Sequence, residues 1–219
     1  MNNEKIYTKE ELKGFSVEQL GVLFDNLLRS TGRSNIENLI TWLHTKTDFY
    51  TAPATLCGLG NYEGGLIYHS LSVYSVMKTL YEPLSRLDKG LNNDEFDDNS
   101  IILVSLLHDI CLVHSFESVE KRRLINGVWH TVRSYDYHDQ FPLGHGDKSI
   151  VFITMNGVFL TREEMLSIKW HGGKSNLSEV ECPTYNNALR SSKLARMLVI
   201  SVEMSKSFME ENREFEIKE

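Results

Sequence analysis

The chain has 219 residues, is 41% hydrophobic and 24% charged, and carries a formal net charge of −7. That length and apolar content suffice for one large or two small folded domains and exclude a disordered chain. The acidic balance argues against a binder of long nucleic acid, which needs Lys and Arg against phosphates, but it leaves room for a basic pocket of nucleotide size.

The longest apolar run, Ile101–Leu107, is too short for a membrane span, and Met1–Tyr7 lacks the apolar stretch of a signal peptide. Cys57, Cys111 and Cys182 are widely spaced and form no C-x-x-C, so neither a zinc ribbon nor a disulfide framework is expected. A cytoplasmic location is the resulting expectation.

Helical patterns dominate the chain. Ser16 with Gln19 reads as a capping box before Leu20, Val22, Leu23, Leu27 and Leu28, and Gly32 suits the stop. Ser34 with Glu37 opens a second helix carrying Leu39, Ile40, Trp42 and Leu43. Asp48–Gly65 is rich in glycine and reads as an irregular loop. Leu66–Leu80 is again helical. Asp88–Asn99 is polar and reads as a loop. Ser100–Leu112 is apolar nearly all round, the mark of a buried central helix, with Ser100 as its N-cap. Asn126-Gly127, set between Leu124-Ile125 and Val128-Trp129, predicts a type I′ hairpin within Arg123–Arg133. A helix over about 146–158 follows. Thr161 with Glu164 caps the next, which ends at His171-Gly172-Gly173, and a last helix is expected from Asn187 to Met209. Glu210–Glu219 reads as a solvated end. The expectation is an all-α domain with one inserted hairpin.

Four of the eight histidines fall near helix ends, where side chains from different helices can converge: His69, His108, His145 and His171. His108-Asp109, at the end of the most apolar helix, reads as metal ligation, because imidazole and carboxylate suit zinc, manganese, iron or nickel. The bland alternative is a half-buried histidine beside a helix-ending aspartate. His44, His114, His130 and His138 read as structural or surface residues. Cys111, among apolar neighbours, reads as an inert thiol.

The ordered set His69, His108-Asp109, His145, His171 and a later acidic residue resembles the HD superfamily of metal-dependent phosphohydrolases. The resemblance runs from Asn61 to Phe208, through Asn61–Tyr74, Leu106-Leu-His-Asp-Ile, Pro142-Leu-Gly-His-Gly-Asp-Lys-Ser and Lys169-Trp-His-Gly-Gly. The stretch Asn61–Tyr74 resembles the start of HD domains of uncharacterised bacterial and phage hydrolases, and is also similar to the HD module of a bacterial exoribonuclease. The resemblance implies an HD-type helical domain over 61–212, a helical extension over 1–60 packed on it, and a frayed tail over 213–219.

It also implies a ligand set of His69, His108, Asp109 and Glu203 for one ion, with His145 and His171 for a second ion or for phosphate. Glu203 stands where relatives carry Asp; the alternative is that it lies on an exposed stripe. The ions would be manganese, iron, nickel or zinc, one or two of them, with magnesium as a further candidate. Relatives carry Lys where this chain has Leu112, and some carry a second His where it has Trp170. Lys148, Lys121, Arg122 and Arg123 are candidates to replace that Lys, each with plain surface charge as the alternative. Tyr62, Trp129, Tyr135, Tyr137 and Phe141 would stack a base or simply pack the hairpin.

The implied activity is hydrolysis of a phosphoester in a nucleotide or short oligonucleotide. Asp109 would orient the attacking water and Lys148 would neutralise charge, with Arg122, Arg123, Tyr135 and Tyr137 against substrate. The implied partner is a small phosphorylated molecule, with no membrane. Residues 1–60 would cover the site or form a homodimer surface. The competing expectation is a decayed site that binds a nucleotide or a protein partner without turnover.

Overall fold

The computed structural model describes residues 5–87, 97–175 and 177–210. Among these residues the chain forms nine helices and one two-stranded antiparallel sheet, so the mainly helical expectation with a small hairpin holds. Among the described residues no helix is long and apolar enough to cross a membrane. The expected loop over Asp88–Asn99 lies mostly outside the described residues, and the expected frayed tail wholly so.

Three helices begin with complete capping boxes. In each, a Thr or Ser hydroxyl accepts the N3 amide while the N3 side chain accepts the cap amide, satisfying two donors that a helix start leaves open. Thr8–Glu11 opens α1 (Lys9–Gly14), a helix the apolar pattern did not reveal. Ser16–Gln19 opens α2 (Val17–Ser30), and Thr161–Glu164 opens α7 (Arg162–Trp170), both as expected.

The second expected box is absent. α3 (Ile36–Lys46) starts after Asn35, which is left-handed with φ 64°, and no side chain caps it. The Asn35 amide instead donates to the Gly157 carbonyl at 2.8 Å, tying α3 to the loop that follows α6 (His145–Met155).

The centre of the molecule is shared by α4 (Gly65–Leu87) and α5 (Asp98–Leu107). Every residue of α4 from Gly65 to Met77 is buried, and so is every residue of α5 from Ser100 onward. α4 packs against α5 and α9 (Lys193–Phe208), and also against α1 and α2. One continuous apolar core therefore runs from Leu12 to Val202 and takes in Phe24, Leu39 and Phe49 from the N-terminal part.

Asp97 is the N-cap of α5; its carboxylate accepts the Ser100 amide at 2.8 Å. Ser100 is not the cap because its hydroxyl donates to Glu164 at 2.7 Å. α5 also stops earlier than its apolar pattern suggests. His108 ends it, and Ile110–Leu112 forms a separate 3-10 turn.

The hairpin is longer than Arg123–Arg133. β1 (Phe116–Ile125) pairs with β2 (Val128–Tyr137) in the register Ile125↔Val128 and Phe116↔Tyr137. Asn126 and Gly127 have φ of 51° and 81°, as a type I′ turn requires. The single long C-terminal helix is in fact two, α8 (Glu181–Ser191) and α9. Ser192 between them is extended, and its hydroxyl accepts the Ala195 amide at 3.2 Å. The junction holds no glycine or proline, so no breaker betrays it in the pattern.

Glu164 is the main polar link across the core. Fully buried, it pairs with Arg33, accepts from Ser100, and accepts the Thr161 amide at 2.7 Å. Removing one partner of a buried pair costs about 3–5 kcal/mol, because the other charge is left without compensation. Arg33 keeps 20% of its side chain in water, so Glu164→Ala is expected to cost about 2–3 kcal/mol on that scale. Urea unfolding measures this; a loss under about 1 kcal/mol, the worth of a surface pair, would contradict the assignment.

Candidate metal centre

The site is assembled from the ends of helices. His69 lies one turn into α4, His108 and Asp109 lie at the break after α5, His145 opens α6, and His171 closes α7.

Local chain geometry makes that convergence stick. Asp109 sits in the sparsely used bridge region of the backbone, at φ −107° and ψ 14°, where the chain leaves α5 for the 3-10 turn. Ser149, buried on α6, donates to the His108 carbonyl at 2.6 Å and accepts the Cys111 amide at 3.1 Å. That two-way bond fastens α6 to the turn. Gly146 lets the start of α6 press onto the end of α7: a Cβ there would collide with the Ile168 and Lys169 carbonyls. His145 and His171 consequently face each other with ring centroids 5.0 Å apart.

The four imidazoles surround the Asp109 carboxylate, and its two oxygens divide them. Oδ1 lies 2.7 Å from Nε2 of His145 and 2.9 Å from Nε2 of His171. Oδ2 lies 3.5 Å from Nε2 of His69 and 3.5 Å from Nε2 of His108. His69, His108 and His171 are buried, whereas 47% of the His145 side chain is exposed.

Hydrogen bonds behind the rings determine which nitrogen looks inward. His108 Nδ1–H donates to the Ser105 carbonyl at 2.8 Å, and His171 Nδ1–H donates to the Ile168 carbonyl at 2.7 Å. His69 Nδ1–H donates to the Glu210 carboxylate at 2.6 Å. Each of these rings thereby turns Nε2 to the interior. Yet Nε2 of His69 lies only 3.1 Å from Nε2 of His108, and both face carboxylate oxygens. Two ring nitrogens this close need a proton or a metal ion between them, and His69, raised by Glu210 while His108 is lowered, can supply the proton when no metal is bound. A histidine whose rear N–H is held by a carboxylate or a backbone carbonyl is the usual form of a metal-ligating histidine. The donor set thus fits a divalent transition metal on two counts, its N/O chemistry and its orientation. His69, His108 and Asp109 form one group of convergent ligand atoms, and Asp109, Cys111 and His145 form a second.

The electrostatics agree. Burial opposes ionisation of Asp109, but the surrounding His108, His145 and His171 outweigh it and hold the carboxyl well below its ordinary range. Burial, with His171 and His69 nearby, drives His108 far down, so that it is neutral and competent to ligate. Burial would also lower His145, but Asp109 beside it raises it to about 11. His69 is raised against its burial by Glu210, whose own carboxyl is held down by the same contact.

The cluster forms one wall of a cavity of about 870 Å³. Ala54, Thr55, Cys57 and Leu59 come from the long loop, Gly144–Asp147 from the start of α6, and Lys169–Gly173 from the end of α7. Val202, Lys206 and Glu210 come from the C-terminal part. Lys169 pairs with Asp147, and Lys206 pairs with Glu203 at 3.1 Å.

Several sequence expectations need correction. Glu203 is not at the centre: 67% of its side chain is exposed, and it pairs with Lys206 one turn on. Among the described residues, the later acidic residue that reaches the cluster is Glu210, which belongs to the expected solvated end. It is buried against His69 and Ser205 and stands behind the ring rather than beside Asp109. Lys148 does not line the cavity. It is buried under the hairpin, donating to Asp139 at 2.7 Å and Ser115 at 3.4 Å. Arg122 stacks on Trp129 at the exposed hairpin, Tyr135 is buried in β2, and Tyr137 donates to Asp139; none of these, nor Arg123, lines the cavity. Leu112 and Trp170 do line it. Ser149 and Glu210 went unnoticed, since a serine within a helix and a glutamate in a charged tail carry no periodic signal. Cys111 is in the core as expected, yet its sulfur faces His145.

No family model matches this chain, and neither a curated protein nor a solved structure matches it. The functional reading therefore stands on the residues themselves.

Two outcomes follow from the geometry. Glu210→Ala removes the group that orients His69, and losses of outer partners cost about 10–100-fold in metal affinity; competition against a chelator measures it, and unchanged affinity would remove Glu210 from the centre. Because His145 is held protonated up to about pH 11, an ion bound beside Asp109 must expel that proton. Affinity should thus rise with pH through the neutral range, about tenfold per unit for each proton displaced. Titration calorimetry in buffers of differing ionisation enthalpy reads the proton count, and a count of zero would show that His145 does not ligate.

Proposed function

We propose that this chain is a metal-dependent phosphohydrolase of the HD type, acting on a nucleotide or short oligonucleotide. The observation that carries this reading is the Asp109 carboxylate, whose two oxygens face different imidazole pairs at the wall of a nucleotide-sized cavity. A carboxylate so divided is suited to bridge two cations, with His69 and His108 on one side and His145 and His171 on the other. The resemblance of the motif order to HD hydrolases supports the same ligand set, less Glu203.

A divalent cation held there supplies Lewis-acid polarisation of a phosphoryl oxygen and makes water nucleophilic at neutral pH. The chain's own residues do the rest. The buried imidazoles keep Asp109 ionised and fixed, so its oxygens need not reorganise during reaction. Lys169 and Lys206, both on the cavity wall, take the role expected of Lys148. A phosphate entering the cavity competes with Asp147 and Glu203 for their ammonium groups. Trp170, packed against Tyr185 with Lys169 over its ring, adds apolar surface to the wall.

One observation favours the second reading, a site that binds a nucleotide without turning it over. Leu112 lines the cavity where the HD resemblance implies a Lys, and the lysines that remain on the wall are already ion-paired.

Metal content and turnover separate the alternatives. Asp109→Ala is expected to lose every tightly bound ion and all hydrolysis in a screen of nucleoside phosphates and short oligonucleotides. Asp109→Asn, which preserves shape, should lose at least the ion on the side of His145, the outer position. Full activity in either variant would refute the hydrolase reading. Metal-dependent nucleotide binding without product, under manganese, iron, nickel and zinc alike, would establish the second.

A further inference from the structure

The proposed chemistry leaves Cys111 without a role, yet its surroundings are not those of a core thiol. Its Sγ lies 3.3 Å from Nδ1 and 3.7 Å from Nε2 of His145. The sulfur, a His145 ring nitrogen and an Asp109 oxygen all fall within 4.8 Å of one another.

The rigidity of the position matters as much as the distance. The Cys111 amide donates to Ser149, and the same hydroxyl donates to the His108 carbonyl, so the sulfur is carried on the very turn that carries Asp109. Cys111 is 2% exposed and does not line the cavity; it meets His145 from the protein side. The contrast with the other rings is specific. His69, His108 and His171 each direct the rear nitrogen to an oxygen of Glu210, Ser105 or Ile168. His145 alone among these has sulfur beside it, and its half-exposed ring is the one least confined by packing.

We propose that Cys111 is a thiolate ligand of the outer cation position, joining Asp109 and His145 in a mixed sulfur, nitrogen and oxygen donor set. This rests on the metal-centre reading above and adds a preference to it. A thiolate is a soft donor, so the outer position should select zinc or another thiophilic ion, while manganese and magnesium are disfavoured there. Coordination needs no redox partner: the sulfur–metal bond forms as the S–H proton leaves to solvent, and no atom changes oxidation state.

The test uses the full-length metal-free protein titrated with cobalt(II), with bound cobalt counted by elemental analysis. The expected result is a near-ultraviolet sulfur-to-cobalt charge-transfer band in the wild-type protein. It should persist in a Cys57→Ser/Cys182→Ser double variant and vanish in Cys111→Ser with one cobalt fewer. Bound cobalt with no such band, or a band that survives Cys111→Ser, overturns the proposal. If Cys111→Ser does not fold, the double variant decides, because Cys111 is then the sole thiol. If no cobalt binds at all, the metal-centre reading itself has failed. Failure of the thiolate alone shows as cobalt bound without the band.

Discussion

A buried carboxylate surrounded by imidazoles is the constraint on which the rest of this structure depends. An ionised Asp109 in a low-dielectric interior is costly unless positive charge or strong donors surround it. His145 and His171 approach one of its oxygens, while His69 and His108 approach the other. To bring four rings to one carboxylate, four helix ends must meet at one point. The break after α5, the Gly146 contact and the Ser149 staple are the devices that make them meet.

Those devices also explain why the site lies where it does. α4 and α5 are buried so completely that they cannot move relative to each other without opening the core. Rigid central helices are good carriers for groups that must hold a geometry within a fraction of an ångström. The cavity, by contrast, is walled largely by loops and helix ends, from the Ala54–Leu59 segment to Gly172-Gly173.

The corrected acidic residue illustrates how such a centre is tuned. Glu210 follows the last helix, closes back over α4, and is held there by its bond to His69, by Ser205, and by Lys9 donating to its carbonyl at 3.3 Å. Placed behind the ring, it would raise the basicity of His69 toward a metal instead of occupying a coordination position. The inner group is therefore richer in imidazole and poorer in carboxylate than the motif order implied. The outer group has a sulfur within reach. Both would move the proposed donor set toward softer ions.

Much of this was legible in the sequence. The capping boxes at Ser16 and Thr161, the type I′ turn at Asn126-Gly127 and the mainly helical class follow from local rules that hold in isolation, since they involve residues three or four positions apart. The candidates His69, His108, Asp109, His145 and His171 were legible too, because glycines and helix ends flank them. What escaped depends on contacts across long separations. Ser100 could not be known to bond Glu164 rather than cap its own helix, nor Asn35 to reach Gly157, nor Lys148 to be buried with Asp139. The choice between Glu203 and Glu210 was of the same kind. Helical phase turns Glu203 to water, and only the return of the chain past α9 brings Glu210 to His69. Sequence by itself determined the helical class, the hairpin turn and the four histidines and Asp109 as candidates; tertiary structure decided which side chains share a centre, because convergence is a property of packed helices and not of spacing along the chain.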